Sequence, residues 1–324
     1  MSVKRTLVEI VAVLAVATSG VSYQLPSTYV FTSSVDGSCQ ISPKPAFTFP
    51  SQAQTSADEI GNNHNVVAVS NASSGVGYRI SSEYVLTVAH LFDAKHPNWP
   101  TEITSAAEGN MWERSEGTIV ASNVSLDLAL VRAAQYKNDG LVFPVKFRSQ
   151  DVYPGERMVI KGLDPVSSHD RNRIRAQYPI NLNVLAAQDH PDFYTSELVI
   201  TAGLSGSPFI DSAGNIIGIL EVSQTQFGDD SKDSGTLNVG SGYTNNAASL
   251  KEWTEKVTEV YPNATFYAGA RPSREIVPFL EKFCNEKHDA QTGRALNQPR
   301  DAVVRFPLNS RNRRFYSERG YAQT

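Results

Sequence analysis

Short apolar runs rich in β-branched residues fill the middle of the chain, between about Val66 and Tyr243. They alternate with Gly, Asn, Asp and Ser, and they read NVVAVS, GVGYRI, YVLTVAH, GTIVAS, LALVRAA, RMVIKGL and NIIGILEVS. Many short strands at close spacing, separated by turn residues, predict an all-β sandwich or barrel. Helical periodicity is nearly absent from this region, so we expect β-sheet to form the core.

Helical periodicity begins directly after this region. Leu250, Trp253, Val257 and Val260 recur at spacings of three and four residues, which predicts one apolar face of a helix. A second, shorter helical segment is predicted around residues 276–283. No repeat of fixed period is present.

The amino-terminal end differs from the middle. Lys4 and Arg5 precede a short apolar run, Ile10 to Ala17, that ends in Ala-Val-Ala. This pattern is typical of a secretory signal peptide, and a buried helix is the alternative. The run is too short to span a bilayer comfortably, and no later stretch is apolar for long enough, so no stable membrane insertion is expected.

The two segments that flank the central region also have distinct compositions. Residues 18–62 are rich in Ser, Thr, Pro and Gln without a sustained period, which indicates a pro-segment or linker. At the other end, from Arg294 onward, seven arginines are opposed only by Asp301 and Glu318, so the chain ends in a basic tail.

The composition is that of an ordinary globular protein. The chain has 324 residues, of which 40% are hydrophobic and 19% charged, and its 29 basic and 33 acidic side chains give a net charge of −4. This length suits one large all-β domain or two smaller ones. Such a mild charge balance gives no reason to expect a nucleic acid as partner.

Sequons and cysteines fit an exported, extracellular protein. The three Asn-x-Ser/Thr triplets begin at Asn71, Asn123 and Asn263, and they predict glycosylation sites. Cys39 and Cys284 are the two cysteines, and in an oxidising compartment a disulfide between them would tie both tails together. Two free thiols are the alternative.

The segment TAGLSGSPFI contains a serine that could be a catalytic nucleophile. Ser205 lies in a cluster of small residues that is either a simple turn or a loop holding a nucleophile. A serine hydroxyl needs a base within hydrogen-bond reach, and the base needs an orienting partner. His90 ends YVLTVAH, and Asp127 opens LDLALV, where a buried carboxylate requires a polar partner. Each residue alone could be structural, but together and in this order they predict a catalytic triad.

The glycine in the same segment has a role in this interpretation. Acyl transfer places negative charge on a carbonyl oxygen, and one backbone donor to that oxygen contributes about 2.7–4 kcal/mol in a measured case. The N–H groups of Gly203 and Ser205 are candidate donors for such an oxyanion hole, because Gly203 permits the backbone twist and close approach of a substrate.

VLTVAH, DLAL and GLSGSP resemble the three signature segments of chymotrypsin-like serine proteases, and the similarity covers roughly residues 63–261. The resemblance implies two antiparallel six-stranded β-barrels with the active-site cleft between them, followed by a C-terminal helix. GSGYTNNAASLKEW is similar to the family's last strand leading into that helix. The implied triad is His90 as base and acid, Asp127 as its orienting group and Ser205 as nucleophile. No metal and no organic cofactor is implied.

Several departures from trypsin point to another branch of the family. Leu204 stands where trypsin has an Asp that receives a new N-terminal ammonium, and the cysteines beside the catalytic His and Ser are absent. These features resemble the glutamyl endopeptidase and bacterial-type branch. The His that reads glutamate in that branch is Leu220 here, which argues against glutamate specificity. An α/β-hydrolase is excluded, because its Gly-x-Ser-x-Gly motif fails at Ser207 and its triad order differs.

GILEVS is similar to the strand that lines the primary specificity pocket. Counting back from Ser205 places Val199 and Ile200 at the pocket floor. Counting along GILEVS places the wall near Glu221, Val222 and Ser223. An apolar floor predicts a preference for apolar residues immediately before the scissile bond. If the Glu221 carboxylate turned into the pocket, Lys or Arg would be preferred instead.

These observations predict four parts of the chain: a signal peptide (1–17), a pro-segment or linker (18–62), a chymotrypsin-like protease domain (63–261) and a C-terminal extension with a basic tail (262–324). The predicted protein is a secreted serine endopeptidase that acts on protein or peptide substrates. The alternatives are a catalytically inactive, protease-like binding protein and a structural exported β-domain.

Overall fold

The structure is a computed structural model, and it describes residues 28–34, 38–44, 63–93, 96, 99–106, 112–133, 144–166, 176–187, 193–200, 202–226 and 250–292. The predicted signal peptide, most of the predicted pro-segment or linker and the basic tail lie outside these residues.

The described residues form β-strands and two longer helices. The strands are β1 (Thr28–Ser33), β2 (Cys39–Lys44), β3 (Val66–Ser70), β4 (Ser74–Arg79), β5 (Tyr84–Thr87), β6 (Thr101–Ala106), β7 (Trp112–Asn123), β8 (Leu128–Ala133), β9 (Val145–Arg148), β10 (Arg157–Val166), β11 (Ala176–Ala186), β12 (Phe193–Ser196), β13 (Pro208–Ile210), β14 (Ile216–Gln226) and β15 (Thr265–Pro272). The helices are α1 (Leu250–Val260) and α2 (Ser273–Thr292).

The first barrel is a closed, six-stranded antiparallel sheet in the order β3-β4-β5-β8-β7-β6. Its strands carry the alternating apolar runs seen in the sequence, and the inward side chains are buried. Gly77 shows how tightly this interior is packed, because a Cβ there would lie 2.5 Å from Val85 Cγ1. The barrel therefore has a filled core rather than a channel.

The second barrel is also six-stranded and antiparallel. Its strands follow the order β13-β10-β11-β12-β15-β14, and pairing between β13 and β14 closes the ring. A separate hydrophobic cluster fills it, including Ile160, Leu204 and Phe209. The predicted all-β fold of two six-stranded barrels is therefore confirmed.

The second barrel extends beyond the expected boundaries. Its strand β15 follows α1, although the sequence pattern suggested that the last strand would precede this helix and that the domain would end at residue 261. The segment expected to form that strand lies largely outside the described residues. A parallel contact between Ile216 and Phe147 joins β14 to β9. Strand β9 pairs with β1, and β1 pairs with β2; both β1 and β2 come from the segment predicted as pro-segment or linker.

The two helices differ from their predicted forms in detail. In α1, Leu250 and Val257 are buried as expected, but Val260 at the helix end is 66% exposed. The second helix, α2, is the longer one, with 20 residues against 11 in α1. No helix in the described part of the chain combines the length and hydrophobicity needed to cross a membrane.

The β1–β2 hairpin, which extends the sheet of the second barrel, also packs against the first barrel, and so does α2. The ring of Tyr84 in β5 contacts Phe31 of β1 at 6.0 Å and Phe283 of α2 at 5.6 Å between ring centroids, both edge to face. A disulfide between Cys39 and Cys284 joins β2 to α2, with a Cα–Cα distance of 5.2 Å. The predicted pairing of the two cysteines is therefore confirmed, and these outer elements connect both barrels.

Candidate active site

Neighbouring strands of the first barrel bring His90 and Asp127 together. Thr87 near the end of β5 pairs with Ala129 near the start of β8, so the residues just beyond these strand ends lie side by side. His90 Nδ1 lies 2.7 Å from Asp127 Oδ2, and the backbone N–H of His90 donates to Asp127 Oδ1 at 2.8 Å. Because an ionised carboxylate only accepts, this contact places the imidazole proton on Nδ1 and leaves Nε2 to take up another.

The backbone at Asp127 is unusual. Its φ angle is 52°, in the left-handed region that few residues other than glycine adopt, although Asp and Asn are enriched there. Such conformations concentrate at functional sites. The side chain of Asp127 is 11% exposed, whereas that of His90 is 43% exposed. The acid is therefore shielded while the base keeps access to solvent and to a substrate.

Ser205 follows a single 3₁₀ turn, Ala202–Leu204, at the edge of the second barrel. Leu204 anchors this turn, because its side chain is fully buried in the barrel core. Gly206 has a φ angle of 93°, and a Cβ at this position would overlap the carbonyl oxygen of Val76. Only glycine fits at position 206, because the backbone there has a positive φ angle and no space is left for a Cβ.

The loop of Ser205 is docked on the first barrel. The backbone N–H of Val76 in β4 donates to the carbonyl oxygen of Ser205 at 2.8 Å. A Cβ at Gly75 would lie 2.7 Å from the same oxygen and 2.9 Å from Leu91, the residue after His90. Gly75 therefore contacts both the backbone of Ser205 and the segment that carries His90. Gly203, the other predicted oxyanion donor, lies in the 3₁₀ turn itself.

The predicted pocket floor is buried. Val199 is 0% exposed and Ile200 4%, and both pack in the core of the second barrel, where Thr254 Oγ1 accepts a hydrogen bond from the backbone of Val199 at 2.9 Å. These side chains offer almost no surface to a substrate in this structure. Counting along the sequence could not show that they point into the barrel.

The predicted pocket wall lies on β14. Val222 and Ser223 belong to this strand, but their side chains are outside what the structure describes. The carboxylate of Glu221 pairs with Arg271 of β15, at 2.9 Å and 3.0 Å from its Nη2. It is therefore already paired with a cation of the same chain, which removes the basis for expecting Lys or Arg selection by Glu221.

Sequence reasoning missed the partner of Glu221. Arg271 also contacts Glu275 of α2 at 2.6 Å, so one guanidinium bridges two carboxylates. Glu221 and Arg271 are 50 residues apart in the chain, and no local sequence pattern connects them. Burial raises the pKa of Glu221, the charge of Arg271 lowers it, and weaker effects of Asp127 and His90 raise and lower it respectively.

The three sequons occupy different environments. Asn71 Nδ2, the atom to which a glycan would attach, donates to the backbone of Trp99 at 3.1 Å and to Thr101 Oγ1 at 3.1 Å. Asn123 uses its Oδ1 to accept from Leu126, and Asn263 is exposed. Glycosylation stays a prediction, and Asn263 is the sequon whose surroundings suit it best.

The described residues contain no group of three or more His, Cys, Asp and Glu that could hold a metal ion. A surface concavity of about 490 Å³ lies on the first barrel, lined by residues such as Asn71, Glu102 and Arg114. None of the triad residues lines it, so the concavity is separate from the candidate active site.

Comparison with known proteins identifies the domain. Residues 74–219 match the family model described as a trypsin-like peptidase domain, and this span includes His90, Asp127 and Ser205. This segment is therefore similar to trypsin-like peptidase domains, and the predicted resemblance to the chymotrypsin/trypsin-like family is confirmed. Its assignment to the glutamyl endopeptidase and bacterial-type branch stays a prediction. No curated protein matches the chain.

Three solved structures are similar to the chain at low identity. A crystal structure of Deg5 is 16% identical with a TM-score of 0.37, covering 49% of this chain and 80% of that one. A serine endoprotease from Yersinia pestis is 17% identical with a TM-score of 0.44, covering 73% and 69%. The MamO protease domain from Magnetospirillum magneticum is 17% identical with a TM-score of 0.40, covering 67% and 95%.

Proposed function

We propose that this protein is a secreted serine endopeptidase that cleaves peptide bonds through an acyl-enzyme. The observation that carries the proposal is the two-point contact between Asp127 and His90, beside a serine loop docked on the same barrel. This arrangement supplies an oriented base, and the family match independently supports a peptidase.

In the first half of the proposed reaction, Ser205 Oγ attacks the carbonyl carbon of the scissile peptide bond. His90 Nε2 takes the hydroxyl proton, and the carboxylate of Asp127 stabilises the imidazolium that forms. The N–H groups of Gly203 and Ser205 are the proposed donors to the oxyanion. The tetrahedral intermediate collapses, the C–N bond breaks, and His90 gives its proton to the leaving amine.

In the second half, water attacks the ester carbon of the acyl-enzyme. His90 accepts a proton from this water and then returns it to Ser205 Oγ as the ester bond breaks. The carboxylic acid product and the free enzyme result. Every proton in this scheme moves through one imidazole, so the reaction needs no other group to shuttle protons.

The test is labelling with a serine-reactive phosphonate, followed by mass spectrometry of the modified peptide. The wild-type protein should carry the label on Ser205, and Ser205→Ala should not react. Ser207→Ala is the matched control, because Ser207 lies two residues further on, is fully buried and makes no hydrogen bond through its Oγ to the described residues. Labelling should persist in this control.

Two outcomes would contradict the proposal. Unlabelled wild-type protein would favour the alternative of an inactive, protease-like binding protein. Label on a residue other than Ser205 would move the nucleophile elsewhere. Turnover is checked separately, since the kcat of Ser205→Ala and of His90→Ala should each fall by several orders of magnitude, and the double variant should be little worse.

Substrate preference and export are finer parts of the proposal. A peptide-library cleavage profile tests the expected apolar residue before the scissile bond, with Ser205→Ala as the blank. Because Arg271 already binds Glu221, we expect no Lys or Arg selection that depends on Glu221. The cleavage profile of Glu221→Gln should therefore show the same preference for Lys and Arg as the wild-type profile. Secretion follows from the pattern of residues 1–17, and analysis of the amino terminus of the protein recovered from the medium would test it.

A further inference from the structure

Glu221 occupies an irregular position in β14. Leu220 pairs with Ala270 and Val222 pairs with Gly269, so Glu221 is an extra residue with no partner opposite it on β15. Such a β-bulge interrupts the alternation of side chains and redirects the bulged residue, and bulges are frequent next to active sites. The direction of the Glu221 side chain is therefore set by a local feature of the backbone.

This bulge lies beside the nucleophile loop. Leu220, the residue immediately before Glu221, accepts a hydrogen bond from the backbone of Gly206 and donates one to the carbonyl oxygen of Ser207, both at 2.8 Å. The strand that carries Glu221 thus holds the two residues after Ser205. A change at the bulge is connected to the active-site loop through two backbone hydrogen bonds.

The carboxylate of Glu221 is held in place by Arg271. The exposed fractions of the two side chains are 22% and 19%, and Arg271 is fixed from the other side by Glu275. A bridged, partly buried guanidinium restrains a carboxylate more strongly than an exposed ion pair would. The position of the negative charge on Glu221 is therefore well defined.

The bulge is also linked to the segment that leads to His90. Gly206, which donates to Leu220, packs closely on the first barrel, since a Cβ on it would lie 2.6 Å from Thr87 Oγ1, three residues before His90. In keeping with this placement, the negative charge of Asp127 raises the pKa of Glu221, and His90 lowers it. The charged groups that act on Glu221 are Arg271 on β15, Asp127 before β8 and His90 after β5, and Glu275 on α2 binds the same Arg271.

We propose that Glu221 is a positioning residue of the active site, whose carboxylate, held by Arg271, acts as a second negative charge beside the His90–Asp127 pair and stabilises the imidazolium form of His90. This inference rests on the proposed function. During acyl transfer His90 becomes positively charged, so a nearby, fixed negative charge supports the transition state without touching the substrate.

The test is a pH titration of the His90 imidazole by NMR, in a Ser205→Ala background that prevents self-cleavage. The signal is assigned by its absence in a His90→Ala variant. Glu221→Gln removes the negative charge and keeps the shape of the side chain. The imidazolium loses stabilisation, so the titration midpoint should move to lower pH by about 0.5–1 unit. In the active enzyme, the acid limb of the kcat/KM profile should move in the same direction.

Glu275→Gln is the matched control. It removes the same charge from the same guanidinium, but on α2 rather than at the bulge. A purely structural effect of weakening the Arg271 bridge would appear in both variants, whereas the proposed effect should be confined to Glu221→Gln. Glu221→Asp retains the charge and should recover most of the midpoint shift.

An unchanged His90 midpoint in a folded Glu221→Gln protein would overturn the inference, and so would equal shifts in both Gln variants. If Glu221→Gln does not fold, Arg271→Gln provides the test, because removing the cation should move the midpoint to higher pH, and a shift to lower pH or none would count against the inference. The titration needs no turnover. Its failure is therefore distinguishable from failure of the proposed function, which phosphonate labelling reports.

Discussion

The two barrels contribute to the active site in different ways. The first barrel closes with six strands drawn from one stretch, Val66 to Ala133, and it forms the contact between His90 and Asp127 entirely from its own residues. The second barrel gathers strands from Arg157 to Pro272, with α1 inserted before its last strand. It contributes the serine loop.

This difference separates two requirements of the site. The acid–base pair depends on the register between β5 and β8, which is local to the first barrel. The position of Ser205 depends on how the second barrel docks, through Val76 and Gly75, on the first. Substitutions of the acid–base pair should thus affect chemistry, whereas substitutions where the barrels dock should couple stability to activity.

The largest expected effect comes from breaking the acid–base pair. Asp127→Asn should lower kcat by about four orders of magnitude, because the amide no longer stabilises the imidazolium or holds its tautomer. The fold should persist, since Asn also tolerates the positive φ at this position. Steady-state kinetics and thermal unfolding check the two parts. A loss of less than tenfold in kcat would contradict the assignment of Asp127.

The next effect concerns the elements outside the barrels. Replacing both Cys39 and Cys284 with Ser opens a loop spanning 245 residues, which should lower the free energy of unfolding by about 5 kcal/mol in the chain-entropy model. Denaturant unfolding measures this loss. The His90–Asp127 pair should survive in the native state, because neither cysteine lies in the first barrel. No change in stability would mean that packing alone holds β2 to α2.

A buried cation between the barrels gives a smaller, pH-dependent effect. Lys161 of β10 is 1% exposed, and strand alternation places it on the same face as Leu163, which packs in the cluster of the first barrel. Burial lowers the pKa of Lys161 from 10.5 to about 8. Between these values the unfolded chain binds more protons, so the stability of the wild-type protein should rise with pH across this window.

Lys161→Met tests this prediction. Below about pH 8 the variant should be more stable by up to about 3 kcal/mol, since it buries no charge, and the gain should vanish as the pH approaches 10.5. Denaturant unfolding at several pH values measures the difference. Lys146→Met, at an exposed position of β9, is the control and should show no such dependence. A pH-independent difference for Lys161→Met would argue against a titrating Lys161.

The smallest expected effect separates docking from packing. Gly75→Ala places a Cβ 2.7 Å from the carbonyl oxygen of Ser205, and it should cost about 1–3 kcal/mol of stability and also lower kcat/KM by roughly tenfold. Gly117→Ala crowds Val131 at 2.6 Å inside the first barrel and should lower stability alone. Equal activity in the two variants, measured well below their melting temperatures, would show that docking at Gly75 does not position Ser205.

The sequence predicted the parts of the molecule whose signals are local. Alternating apolar runs indicated the barrels, and His90, Asp127 and Ser205 each lie in a short, recognisable segment. The prediction that Val199 and Ile200 form a pocket floor rests on counting alone, which cannot tell the inward face of a barrel from the outward one. Burial of a side chain depends on the closed sheet and not on distance along the chain.

The features that the sequence could not show come from contacts between distant segments. β1, β2 and β15 carry Pro, Ser and Gly that weaken their strand pattern, and only pairing with neighbouring strands stabilises them as sheet. The contact between Glu221 and Arg271 depends on a bulge whose existence follows from register. Burial of Lys161 likewise requires the packing of one barrel against the other.

The disulfide also decides what a single backbone cut can release. A protease clipped anywhere between residues 44 and 63 would lose the continuity of its main chain, yet Cys39 would remain bonded to Cys284. The fully buried ring of Phe31 would keep its place beside Tyr84. The product would be one molecule of two chains, a single species on a non-reducing gel that separates into two only when thiol is added. Maturation could thus create a new amino terminus without discarding the piece that preceded it.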